Sequence, residues 1–246
     1  MGTSAPRLTG NLFLDRAPGN AMSELRHSLA PVTLENARII YDYGQPMDRV
    51  LFPVGSVISV VLEMSDGATA EVGIIGREGM TGMAIALGQS SSNNRTIVQI
   101  PDGALSLPAD EFRSAVESDP ELKAFSLRYA QAVFMTTLHL SACNSLHPIN
   151  ARCARWLLMA HDRVGENLLR LTQEFLSQML GVRRASVVVA ASELQAAGFI
   201  TYTRGQITIL NRSGLESAAC ECYEKMEREW KKIMGYSVRK NGAIVL

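Results

Sequence analysis

The sequence predicts an α+β chain in three consecutive parts: a strand-rich barrel or sandwich, a long helix, and a helix-turn-helix followed by a two-strand wing. Three observations carry this prediction. Between about residues 31 and 107, short apolar runs recur between turn signals. From 129 to 151 there is no Lys, Arg, Asp or Glu. Residues 172–210 then place apolar side chains, a glycine and a hairpin tip in the order that two crossed helices and a wing require.

Taken in order, residues 10–30 form a short amphipathic helical segment carrying Leu12, Leu14, Met22, Leu25 and Leu29. Strands are predicted at 37–41, 49–52, 57–62, 69–75, 96–100 and 104–107. Gly44, Pro53-Val54-Gly55, Ser65-Asp66-Gly67, Gly76 and Pro101-Asp102-Gly103 separate them. Pro108 opens a short helix and Pro120 a longer one running to about Leu146. The long helix carries two apolar rows. Leu127, Ala130, Phe134 and Leu138 form one; Leu122, Phe125, Tyr129 and Ala132 form the other. One row suits the barrel, and the other suits the same helix of a second copy or a core within one chain. A membrane span is excluded by Gln131, Thr136, Thr137, His139, Ser141, Asn144, Ser145 and His147, and by the interruption at Pro148. A further helix follows from Ile149 to about Val164. The last, at 213–236, is expected to be continuous and capped by Ser213, with 237–246 frayed.

The most specific segment begins at Thr172, which suits a helix N-cap. Leu176, Leu180, Val182, Val187 and Ala190 fall where two crossed helices pack, and Ser177 is small at their closest approach. Gly181 falls at the sharp turn, where a positive φ is needed. Arg183, Arg184, Ala185, Val188 and Val189 are left on the outer face of the second helix. Adjacent solvent-facing valines suit thymine methyls in a major groove, and an arginine suits guanine O6 and N7. Arg184 is therefore assigned to guanine, and Ala185, Val188 and Val189 to base edges. Arg183, Ser186 and the Thr172 helix end are assigned to phosphates. Arg204, at the wing tip, is assigned to the backbone or minor groove. The competing reading of each arginine is a solvated surface charge.

A chain of 246 residues makes one large or two ordinary domains, and 47% hydrophobic with 20% charged residues is ordinary for a globular protein. Net charge is zero, but its distribution is not even. Residues 1–148 hold ten Lys/Arg against fifteen Asp/Glu, whereas 149–246 hold fourteen against nine. An acidic first half and a basic second half fit a DNA-facing C-terminal part. The N-terminus lacks the apolar core of a signal peptide, and Gly2 sits in a poor myristoylation context. The expected location is the cytoplasm, with no membrane partner. The four cysteines include no CxxC pair, so reduced thiols are expected. Cys220-Glu221-Cys222 has no third or fourth ligand at useful spacing, so neither metal nor cofactor is expected. Residues 30–110 contain no histidine or cysteine, and their Ser and Asp residues sit in turn contexts, which argues against an enzyme.

The order of elements, together with residues 172–210, Ala151-Arg152-Cys153-Ala154-Arg155-Trp156-Leu157-Leu158 and Gly76-Arg77-Glu78-Gly79-Met80-Thr81-Gly82, resembles the Crp/Fnr family of bacterial transcription regulators. The resemblance implies an antiparallel, jelly-roll-like β-roll of the cyclic-nucleotide-binding type over 1–119, a dimerisation helix over 120–148 and a winged helix-turn-helix domain over 149–246. It also implies a homodimer on pseudo-palindromic double-stranded DNA, with RNA polymerase as a further partner. Three departures shape the expectations. Family members that bind cyclic AMP have glutamate after the glycine of the phosphate cassette, where this chain has Gly82-Met83; Arg95-Thr96 stands in the later place. An effector site over Gly82, Met83, Arg95 and Thr96 is thus expected to take a small molecule other than cyclic AMP, or none. No cysteine precedes Cys143, which excludes the family's N-terminal iron–sulfur set, and no spacing singles out His27, His139, His147 or His161 as a haem ligand. Ala185 and Val189 stand where the best-known reading helix has glutamate and arginine, so the target sequence differs. Phe175 replaces a frequent glutamate, so no reciprocal capping box forms. The rival readings are a winged helix that binds protein, and a regulator that acts without an effector.

Overall fold

The computed structural model describes residues 8–239. The signal-peptide and myristoylation readings rest on residues 1–7 and lie outside it. Two short helices, α1 (Leu12–Arg16) and α2 (Asn20–Leu25), stand where one amphipathic segment was expected. The Asn11 carboxamide oxygen caps α1 by accepting the Leu14 N–H at 3.1 Å. Its amide donates to the Pro53 and Gly79 carbonyls, both at 2.8 Å. This pins Phe13 and Leu14 into the core.

Seven strands follow: β1 (Ala30–Leu34), β2 (Ile39–Tyr41), β3 (Arg49–Pro53), β4 (Val57–Glu63), β5 (Thr69–Ile75), β6 (Arg95–Ile100) and β7 (Asp102–Pro108). They form two antiparallel sheets ordered β1-β7-β3 and β2-β6-β4-β5. Leu34, Leu51, Ile58, Val98 and Ala104 are packed together as one core cluster of this β part. The sequence reading missed β1 because Pro31 argues against a strand. β1 lies at a sheet edge, where a missing N–H is tolerated. A short helix, α3 (Met83–Ala86), lies between β5 and β6, and α4 (Ala109–Ser118) follows β7.

α5 (Pro120–Leu146) has the predicted bounds, with Asp119 capping it by accepting the Glu121 N–H at 2.9 Å. Its two rows separate, with Ala130 of the outer row half-buried. Leu122, Phe125, Tyr129 and Ala132 are buried, with the Phe13 and Phe125 ring centroids 4.9 Å apart. Leu127, Phe134 and Leu138 remain 48%, 61% and 47% exposed.

α6 (Ile149–Val164) packs the C-terminal third onto the β part through two buried polar links. Arg163 pairs with Glu78 at 2.8 Å, both groups almost fully enclosed. Gly76 makes room for this: a Cβ there would lie 2.6 Å from the Arg163 side chain. The second link is Glu71 of β5, which accepts hydrogen bonds from Trp156 Nε1 at 2.8 Å, from Gln99 at 3.3 Å and from the Ser59 hydroxyl. Burial drives the Glu71 carboxyl from its ordinary 4.5 up to about 7, against the pull of the Ser59 and Trp156 hydrogen bonds. A carboxyl raised on folding stabilises the fold fully below its unfolded pKa, and that contribution is lost as pH rises through the folded value. Between pH 4.5 and about 7 the protein should therefore lose up to about 3 kcal/mol at this link. The Glu71→Gln variant should lack that segment of the Tm-versus-pH profile. Parallel profiles for the two proteins would contradict the assignment.

The expected single helix over 213–236 is two. α9 (Arg212–Ala218) is capped by Asn211, whose side chain accepts the Gly214 N–H at 2.9 Å, and not by Ser213. After a break at 219–221, α10 (Cys222–Met234) turns back along α5. Trp230 meets the Tyr129 ring edge-on at 5.9 Å, and Tyr236 donates to the Glu78 carbonyl at 2.8 Å. Val238 is buried, so the fraying expected from 237 does not apply to residues 237–239; residues 240–246 lie outside the description. No helix among the described residues is long and apolar enough to cross a membrane.

Candidate nucleic-acid interface

The C-terminal third builds its outer face from α7 (Gln173–Leu180), α8 (Arg184–Ala196) and a three-stranded sheet. That sheet has the order β8 (Leu168–Arg170), β10 (Gln206–Ile209), β9 (Ile200–Thr203). Thr172 caps α7: its hydroxyl accepts the Phe175 N–H at 3.2 Å. Leu176, Ser177, Met179 and Leu180 face inward, and the Ser177 hydroxyl bonds back to the Glu174 carbonyl at 2.7 Å. Gly181 ends the helix at φ +62°, and the Val182 N–H closes onto the Ser177 carbonyl at 3.0 Å. This left-handed cap reverses the chain at a positive φ that glycine adopts at little cost.

Val187, Ala190, Ala191 and Leu194 bury the inner face of α8. Its outer face presents Arg184, Ala185, Val188 and Val189, the two valines 38% and 56% exposed. Arg183 occupies the N-cap and is exposed, while Ser186 is half-buried beside it. Arg184 reaches Gln173 of α7 at 3.4 Å, a light tether that holds it across the helix pair. At the wing tip Arg204 and Gly205 take φ +50° and +76°, as a two-residue hairpin turn requires. The Leu171 N–H donates to the Gly205 carbonyl at 2.8 Å, joining the wing to the start of α7. Thr172, Arg184 and Arg204, from three separate elements, consequently line one concave depression with Gln173, Glu174 and Tyr202. The sequence reading omitted β8, which is three residues long and lacks alternation.

In the β part, Gly82, Met83 and Thr96 line a cavity of about 370 Å³ between the barrel and α5, closed partly by Tyr129, Thr137 and Trp230. Its charged lining residues, Glu78 and Arg163, are paired with each other. Arg95 does not line it. That guanidinium is held by Asp42 at 3.1 Å and Glu63 at 2.8 Å. The Arg95 hydrogen bond holds the Asp42 carboxyl below the usual range. Trp230 arrives from α10, across more than ninety residues, and nothing local in the sequence marks it as part of this cavity.

The cysteines bring a correction. The C-x-C pair has further donors after all: Cys143, His147, Cys220 and Cys222 offer ligand atoms that all lie within 4.8 Å of one another. Spacing along the chain hid this, because the first pair ends α5 and the second starts α10.

A capped helix, a glycine turn, an apolar-and-arginine outer face and a wing define a winged helix-turn-helix DNA-binding protein. Residues 151–218 match the family model described as the Crp-like helix-turn-helix domain. The chain is 26% identical over 190 residues to the CRP-like cAMP-activated global transcriptional regulator of Mycobacterium tuberculosis, covering 74% of this chain and 84% of that one. It is 21% identical over 214 residues to the global nitrogen regulator of Synechocystis, covering 82% and 95%. Among solved structures, a Crp/Fnr-family transcriptional regulator from Eubacterium rectale superposes with a TM-score of 0.63 at 16% identity, covering 80% and 93%. Residues 151–218 form a Crp-like helix-turn-helix domain, and the chain is a DNA-binding transcription regulator of the Crp/Fnr type.

Proposed function

We propose that the protein binds pseudo-palindromic operators as a homodimer and acts without catalysis, in the cytoplasm, where its DNA is. The observation that carries this reading is the exposed Arg184, Ala185, Val188 and Val189 face of α8, set beside the Thr172 and Arg204 depression. Arg184 reads guanine, the apolar residues meet base edges, and Arg183, Ser186, the Thr172 end of α7 and Arg204 hold the DNA backbone. Two copies join along the exposed α5 row, with RNA polymerase as a further partner. The three parts 1–119, 120–148 and 149–246 act as sensor, seam and reader. The effector of the 370 Å³ cavity is a small, largely apolar molecule other than cyclic AMP. Two features support this: the charged lining residues neutralise each other, and Arg95 is occupied by Asp42 and Glu63. The Mycobacterium tuberculosis relative is cAMP-activated, and cyclic AMP is therefore the natural control ligand.

The test against a protein-binding winged helix is salt. Arg183 and Arg204 from each protomer meet four phosphates in a dimer. The logarithm of duplex affinity should fall by about 3.6 or more per decade of salt. A flat salt dependence would favour protein binding.

A further inference from the structure

The end of α5 and the start of α10 carry a donor set that the DNA-binding reading does not use. Cys143 and His147 are one helical turn apart and share a face at the last turn of α5. Cys220 and Cys222 flank Glu221 at the entry to α10, with Cys222 in the first turn of that thirteen-residue helix. The Cys143 and Cys220 sulfurs lie 3.4 Å apart, and Cys222 Sγ lies 3.6 Å from His147 Nδ1. With zinc–sulfur bonds of about 2.3 Å and zinc–nitrogen bonds of about 2.0 Å, tetrahedral edges are roughly 3.5–3.8 Å long. Two of the edges match such a site, and all four ligand atoms lie within 4.8 Å of one another.

Two further observations point to a bound cation and to thiolates in place of thiols. His147 turns its other nitrogen, Nε2, to the Glu221 carboxylate at 3.1 Å, the arrangement that fixes the tautomer of a metal-bound imidazole. Arg152 and Arg155 of α6 are 8% and 2% exposed, and neither has a carboxylate at ion-pair distance among the described residues. The Nε atom of each is buried without a partner; their remaining bonds go to the Leu180 carbonyl and to the Met159 sulfur at 3.3 Å. Arg152 and Arg155 lie within electrostatic reach of the Cys143 and Cys220 sulfurs. Arg155 is also within electrostatic reach of the Glu71 carboxyl, but neither guanidinium forms an ion pair among the described residues, and two such buried cations would be costly beside neutral thiols. Beside an anionic three-thiolate complex they are compensated.

We propose that Cys143, His147, Cys220 and Cys222 form a closed Cys3His site for one structural zinc ion. Binding releases the three thiol protons to solvent and leaves no open coordination position. The ion ties the last turn of α5 to the α9–α10 junction across the His147-Pro148 bend. It thereby sets the angle between the long helix and the DNA-reading unit.

The test starts with metal analysis of the full-length chain purified under reducing conditions without chelator. Co2+ alone is then added to chelator-treated protein. About one zinc per chain is expected, together with the absorption of tetrahedral, thiolate-rich cobalt and its loss when zinc is added. Cys222→Ser and His147→Ala should each weaken zinc binding, while Cys153→Ala, outside the cluster, should bind as the parent does. Glu221→Gln leaves all four ligands in place and should lower affinity by about 10-fold. It serves if a ligand variant fails to fold. Absence of both zinc and the tetrahedral cobalt spectrum would overturn the proposal. So would a Cys143–Cys220 disulfide in the reduced preparation, stoichiometric iron with sulfide, or unchanged zinc affinity in Cys222→Ser.

Discussion

Replacing Phe134 with arginine should dissociate the dimer while leaving the folded chain intact. Phe134 is 61% exposed in the single chain, so its removal leaves no cavity there. At a two-fold seam it is buried once from each copy. Full burial of a large apolar side chain is worth about 1.5–3 kcal/mol, and about three-fifths of Phe134 is left to bury, so the pair contributes roughly 2–4 kcal/mol. The substitution also sets two like charges across the seam. The dimer dissociation constant should rise by about 100-fold or more. Sedimentation velocity reads the state of association, and thermal melting of the diluted monomer checks the fold. An unchanged dimer would place the seam elsewhere and leave the Leu127, Phe134 and Leu138 row without a role.

The second large effect is expected from Arg184→Ala. A bidentate arginine–guanine contact is worth about 1–3 kcal/mol of discrimination. The variant should lose that much affinity for the matched operator, about 10-fold to 100-fold, with a much smaller loss on a scrambled duplex. Titrating both duplexes at one salt concentration gives the comparison. Equal loss on both would reduce Arg184 to a phosphate contact and shift base reading to the valines. The tether from Arg184 to Gln173 is long at 3.4 Å, so its loss should not disturb α7 or α8.

Both predictions rest on features that were legible in the sequence, and the reason is locality. The helix-turn-helix lies within 25 residues, and its cap, glycine turn and buried row are each set by near neighbours. The two rows of α5 follow from a single helical period, and the structure buries one and exposes the other. The strands β2 to β7 were legible from apolar runs between turn residues. β1 was hidden by Pro31, and β8 by its three-residue length.

What was not legible is what crosses the chain. Glu71 meets Trp156 across 85 residues, and Glu78 meets Arg163 across the same separation. A glutamate inside the otherwise apolar run 69–75 was the available signal for the first, and the glycines flanking Glu78 for the second. The Cys3His cluster joins positions 75 and 77 residues apart, so counting along the sequence could not assemble it. The break between α9 and α10 is what permits it. Without that break α10 would leave the molecule and would not return along α5 to complete the cavity with Trp230.

The central claim is that this chain reads DNA as a symmetric dimer through α8. The most direct measurement is selection of bound sequences from a randomised duplex pool by the purified full-length protein, followed by sequencing. The account predicts enrichment of a two-fold symmetric motif with half-sites about one helical turn apart, or 10–10.5 base pairs. Each half-site should contain a guanine whose enrichment disappears with Arg184→Ala. A pool that stays random both with and without cell extract, or a motif lacking two-fold symmetry, would contradict it.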